Sequence, residues 1–223
     1  MRVPPVFVVA TWFALQHAAL ADPPVLASRC EAVPWVVPAG SSDLCPPELR
    51  AIQRELALRD ASVVGEIALA LPASLHLRRI ASAVVARWPG DATRAVLVQL
   101  LTDPDAWVAQ EAASHLGEVG GREVMAPLLR AAGAAEPMVR HNALNALAAI
   151  GAATRAVDVA VLACRAAEPF VRHSAADLLA RVEGPTATSQ ARTALAPLAA
   201  ADPDQGTRAA AARALAVLAA RAP

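Results

Sequence analysis

From residue 137 to 150 the apolar positions fall at Val139, Ala143, Ala146, Leu147 and Ile150. From 169 to 182 they fall at Val171, Ala175, Leu178, Leu179 and Val182, with the same spacing of i, i+4, i+7, i+8 and i+11. Such spacing lines one face of an α-helix. The stretches that follow, such as TRAVDVAVLACRAA at 154–167, keep a looser version of the pattern. No segment alternates with the period of two that a half-buried strand requires. The expected fold class is therefore all-α.

Polar and special residues divide these helices at regular intervals. Acid-Pro dipeptides stand at Asp103-Pro104, Glu136-Pro137, Glu168-Pro169 and Asp202-Pro203, spaced 33, 32 and 34. Glycines stand at 90, 121, 151 and 184, spaced 31, 30 and 33. An acid before proline suits a helix start: the acid favours the positive end of the dipole, and proline fits the first turn. Glycine between helices suits a left-handed C-cap. Each unit therefore reads as a helical hairpin. One hairpin cannot bury its apolar stripe alone, so the units must stack on one another as an α-solenoid. Alanine in place of larger residues lets the helices approach closely. The segments 46–60 and 62–71 read as a degenerate first hairpin, 71–90 as a unit lacking the acidic start, and 202–223 as one further helix.

The pattern common to EPMVRHNALNALAAIG at 136–151, EPFVRHSAADLLARVEG at 168–184 and DPDAWVAQEAASHLGEVG at 103–120 is close to D-P-x-V-R-x-x-A-x-x-A-L-x-x-I-G. It resembles the short HEAT-like repeats of the phycobilisome-lyase type, closely over 103–220 and loosely over 46–102. The resemblance implies a right-handed α-solenoid of about five to six HEAT-like helical hairpins over 46–223. It also implies a structural place for Arg140 and Arg172, with Arg208 at the matching place in the last unit: a ladder tying neighbouring hairpins, against the alternative of ligand binding. In such solenoids the second helices line the concave face. Arg94, Arg122, Arg130, Arg155, Arg165 and Arg192 lie on the second helices here, and would present a cationic groove to an acidic or extended protein partner.

Composition adds compartment and excludes some partners. The chain has 223 residues, 56% of them hydrophobic, no tyrosine, and no lysine, so all 20 basic residues are arginine. The formal net charge is zero, which gives no strongly basic surface and argues against nucleic acid. Arg2, the apolar stretch VFVVATWFAL at 6–15 and the small residues ALA at 19–21 read as a signal peptide over 1–21, cut before Asp22. The expected location is periplasmic or secreted, with no membrane attachment beyond the export signal. Export permits disulfides. In the proline-rich segment 22–45, which shows no helical period, Cys30 and Cys45 are the candidate pair, worth about 3 kcal/mol if bridged. Cys164 reads as a small core residue.

Chemistry-bearing motifs are missing. There is no H-E-x-x-H, G-x-S-x-G, P-loop, C-x-x-C or G-x-G-x-x-G, so no catalytic residues and no cofactor are expected. His141 and His173 recur at the same place, about 200° from the apolar stripe, where exposure is expected. They are too far apart to share a metal ion across helices packed 8–10 Å apart. The i, i+4 pairs His173/Asp177 and Glu111/His115 each offer two ligands, which do not make a metal site. Trp107, where the repeat has a small residue, is the single aromatic candidate for a partner contact, together with His141 and His173. The expected function is a non-catalytic interaction module or scaffold. The alternatives are a tetrapyrrole (bilin) lyase-like enzyme, as the resemblance implies, a chaperone-like partner of an enzyme, and a purely structural envelope component.

Overall fold

The computed structural model describes residues 23–36 and 45–221. The expected signal peptide at 1–21 and its cut before Asp22 lie outside the described residues. So does part of the proline-rich segment. Among the described residues there are twelve α-helices, two short 3-10 turns and no strand. The chain divides into two compact units, the first ending at Val96 and the second starting at Leu97.

In the first unit α1 (Pro23–Glu31), α2 (Pro47–Leu56), α3 (Val63–Ala70) and α4 (Leu75–Val85) surround a core that includes Leu26, Leu49, Ile67, Leu71 and Leu77. Helix α1 corrects the expectation of an irregular segment. Its prolines lie only in the first turn, where a missing N–H costs nothing, and Leu26, Ala27 and Cys30 supply one buried face. It packs on α3 and α4. Arg29 holds the Glu55 carboxylate through two contacts of 3.1 and 2.7 Å, and Ser74 Oγ donates to Glu31 Oε2 at 2.8 Å. The division between the units falls within α5 (Asp91–Leu100).

Cys30 and Cys45, the candidate pair, stand as separate thiols in this structure. Cys30 is fully buried on α1, and Cys45, ahead of α2, directs its Sγ to the Pro46 carbonyl at 3.6 Å. Burial pushes the Cys30 thiol up to about 11 and the Cys164 thiol up to about 12. Both are therefore inert thiols at neutral pH. Thiol titration of protein purified without reductant is expected to find three thiols after unfolding. A Cys30–Cys45 bridge would leave one thiol after unfolding.

The second unit is an α-solenoid of stacked hairpins: α6 (Ala106–Val119) with α7 (Met125–Ala131), α8 (Pro137–Ala149) with α9 (Val157–Ala163), and α10 (Pro169–Leu179) with α11 (Pro185–Ala201). Helix α12 (Gln205–Ala220) follows and packs on α10 and α11. The first helices α6, α8, α10 and α12 pack in succession. Leu116, Leu128, Leu144, Leu147, Leu178 and Leu195 fill the space between them and the second helices, with alanines at the closest approaches.

The acid-Pro marks start helices in two ways. Glu136 and Glu168 are N-cap residues with extended backbone, and Pro137 and Pro169 follow in the first turn. In the two Asp-Pro-Asp sequences the helix begins two residues later than the acid-Pro mark. Asp105 and Asp204 are the N-caps, accepting from the backbone N–H of Val108 and Thr207 at 3.1 and 2.6 Å. Asp103 and Asp202 instead brace the loop, each accepting from the N–H two residues on at 2.9 Å. At the end of α8, Gly151 has φ +70. Its N–H reaches the Ala148 carbonyl, and the N–H of Ala152 reaches the Leu147 carbonyl, which together close a Schellman motif.

Candidate functional site

The recurring arginine forms the expected ladder. Arg140 donates through Nη1 to the carbonyls of Ala134 and Ala135 in its own lead-in loop, and through Nη2 to Glu168 of the next repeat at 2.7 Å. Arg172 repeats the geometry one rung on. Its Nη1 holds Ala166 and Ala167, while Nε and Nη2 grip both oxygens of Asp202, each at 2.7 Å. Arg208 holds the carbonyls of Asp202 and Pro203. The Arg172–Asp202 rung is buried, with the two residues 7% and 6% exposed. The Arg172 guanidinium holds the Asp202 carboxyl below its ordinary range, and the carboxylate in turn raises Arg172 further above its own. The corresponding position in the first of these repeats is Ala109, so the ladder starts at Arg140.

His141 is not the exposed residue that the helical wheel implies. It is half-buried in the seam between α8 and α10. The Phe170 ring meets it edge-on with centroids 5.5 Å apart, and Ser174 Oγ lies 2.7 Å from Nδ1. The Asn145 amide donates to Nε2 at 3.2 Å, which leaves the proton on Nδ1, shared between Ser174 Oγ and the Phe170 carbonyl. The seam between α6 and α8 uses the same positions: Asn142 donates to the Gln110 carbonyl at 2.8 Å. Between α10 and α12 the partner position is Gly206, so His173 has no ring to meet and pairs instead with Asp177 at 3.3 Å. His115 binds the Glu111 backbone carbonyl at 2.9 Å rather than its carboxylate. Among the described residues no three metal-ligating side chains come together. Trp107 is half-buried in the first turn of α6.

Three of the arginines expected on second helices lie off them: Arg122 and Arg155 precede α7 and α9, Arg155 in the 3-10 turn Ala153–Ala156, and Arg165 follows the last residue of α9. Within the second unit the expected arginines line separate hollows. Arg122 and Arg155 face a common cleft of about 1000 Å³ between the turns that close the α6–α7 and α8–α9 hairpins, with Gly120, Gly121, Ile150 and Gly151 forming its walls and Glu118 on its rim. Arg130 edges a small hollow of about 250 Å³ with Val98, Leu101 and Pro127. Arg165 edges a third, of about 600 Å³, between α9 and α11. Arg192 Nη2 is committed to the Leu218 carbonyl at 2.9 Å, and Arg94 pairs with Asp91 in the first unit. Among the described residues no hydrogen bond or ion pair engages the guanidinium of Arg122, Arg130, Arg155 or Arg165, and all four are exposed.

Three residues of the α9–α11 hollow carry no repeat signal: Asp158, Leu162 and Pro197. Pro197 lies inside α11 and brings no N–H to the carbonyl of Thr193. Among the described residues, no helix is long and apolar enough to cross a membrane.

The family model of HEAT repeats matches residues 93–180 and, in an overlapping second match, 129–216, together more than half of the chain. No curated protein matches it in sequence. Among solved structures, the complex of CpcE and CpcF of phycocyanin lyase from Nostoc sp. PCC7120 is similar, at 18% identity and TM-score 0.56, covering 70% of this chain and 99% of that one. Computationally designed armadillo repeat proteins for modular peptide recognition are similar at 19% identity and TM-score 0.53, covering 76% and 93%. An engineered protein gives 23% identity and TM-score 0.55, covering 82% and 93%. At these identities the likeness is one of fold.

Proposed function

We propose that this chain, which belongs to the HEAT-repeat family, is an exported, non-catalytic protein-interaction module of the periplasm or the secreted fraction. The observation that carries the reading is the cleft shared by Arg122 and Arg155. The recurring charges of the repeat, Arg140, Arg172, Glu168 and Asp202, are consumed in holding the hairpins together. These two arginines are not: they stand exposed over the same cleft with no acid bound. Two guanidiniums on a rigid wall, each with a free planar fork, fit carboxylates of an acidic partner segment. The repeat architecture supports the same reading, because it holds such groups in place without an ordering cost on binding. Export is supported by the arginine, apolar run and small residues of 1–21.

The experiment is site-specific photocrosslinking from position Thr154, beside Arg155, in the host compartment. A discrete adduct is expected, with its yield falling at least about tenfold in Arg122→Glu/Arg155→Glu and falling with rising salt. No discrete adduct, or one indifferent to the double substitution, overturns the reading. So does specific turnover by the purified protein that a surface substitution removes.

A further inference from the structure

We propose that α9 is a self-association site, at which a second copy of this chain docks antiparallel about a two-fold axis. Asp158 and Arg165 stand at the two ends of the α9–α11 hollow. They are seven residues apart, Asp158 in the first turn of α9 and Arg165 just past its last residue, Ala163. Among the described residues neither side chain has a polar partner, and both are exposed. Between them Leu162 projects with 65% of its surface in water, beside a hollow floored by Val161, Ala194, Pro197 and Leu198. Helix α11 adds only the neutral polar groups Ser189, Gln190 and Thr193 to this hollow, so no other charge competes there.

A strip that runs acid, apolar, base is complementary to itself when reversed. The midpoint of Asp158 and Arg165 falls between Val161 and Leu162. A two-fold axis at that midpoint sets Asp158 against the partner's Arg165 and Arg165 against the partner's Asp158. The two Leu162 side chains then meet beside the axis, next to both hollows, in the isologous arrangement a closed dimer requires. A parallel arrangement sets like charges together, and an unrelated partner has no reason to match both signs at that spacing. The patch is small for a stable interface, which places the dimer in the weak, concentration-dependent class.

The test is sedimentation velocity on the purified protein over a concentration series. The wild type is expected to shift from monomer toward dimer as concentration rises. Asp158→Arg and Arg165→Asp are each expected to remain monomeric at the highest concentration used. An equimolar mixture of the two is expected to associate again, since each supplies the charge the other needs. That rescue also shows that both variants are folded. A monomeric wild type, or a mixture that stays monomeric while far-UV circular dichroism shows both variants folded, overturns the proposal. So would a hollow that binds only an unrelated peptide. Arg122 and Arg155 are outside this hollow, so their double substitution leaves self-association unchanged whatever it does to partner capture.

Discussion

Arg172→Met is expected to lower the free energy of unfolding by about 3–5 kcal/mol, the range found when one partner of a buried ion pair is removed. The substitution keeps much of the side-chain volume, so the loss is electrostatic. The buried Asp202 carboxylate would lose both of its guanidinium hydrogen bonds and keep only the longer-range field of Arg208, and the carbonyls of Ala166 and Ala167 would lose their donor. The same substitution at Arg140 is expected to cost about 1 kcal/mol. Its rung to Glu168 is half open, with side chains 19% and 30% exposed, and water can take the place of the guanidinium. Adding Asp202→Asn to Arg172→Met should recover part of the loss, because it removes the buried charge while the amide oxygen still accepts from the Asp204 N–H. Urea denaturation of the four proteins measures the differences. Equal losses at Arg172 and Arg140 would overturn the ranking of the two rungs.

The same rung has a definite pH signature. The Asp202 carboxyl is held below the ordinary carboxylate range by Arg172 first, with the Asp204 N–H adding to it. Its stabilising contribution is therefore fully present above the unfolded carboxylate value and is lost as pH falls through the lower folded value. The gap between wild type and Arg172→Met should be widest near neutrality and close in acid.

The hairpins were legible because proline and glycine act through covalent geometry that no neighbour can override. The role of Arg140 and Arg172 was legible for a related reason: a residue repeated at one place in a stack faces the same surroundings on each rung. Helix starts were harder. In Asp-Pro-Asp both acids can cap, and only the loop's course decides that Asp105 and Asp204 do so while Asp103 and Asp202 turn the chain. His141 was misplaced because a wheel describes one helix. Its surroundings come from Phe170 and Ser174 on the next, about 30 residues away in sequence. The Arg122–Arg155 cleft had no periodic signal, since both arginines sit at hairpin turns whose lengths differ. The complementary ends of α9 were present in the sequence as Asp158 and Arg165, but their meaning depends on Leu162 being left uncovered.

Gly117→Leu is expected to cost about 3 kcal/mol or more, at the upper end of overpacking losses. The expectation runs against local propensity. Gly117 lies within α6, where glycine is itself a poor choice by about 1 kcal/mol, so an unconstrained helix would gain from the change. The constraint is the neighbouring repeat. A Cβ at 117 would lie 2.9 Å from the Ala146 Cα and 3.0 Å from its Cβ. The first of these is backbone and cannot rotate away, so α6 and α8 must separate. Gly65 on α3 is the control: nothing lies within 4 Å of its virtual Cβ, and Gly65→Ala is expected to stabilise by up to about 1 kcal/mol. Pairing Gly117→Leu with Ala146→Gly should relieve only part of the loss, since it removes the side-chain contact and leaves the Cα in place. Full rescue by that pair, or a Gly117→Leu protein as stable as wild type, would mean that the two helices can move apart freely. A seam that loose could not hold the rungs of the ladder at the 2.7 Å contacts that Arg140 and Arg172 make across the next two seams.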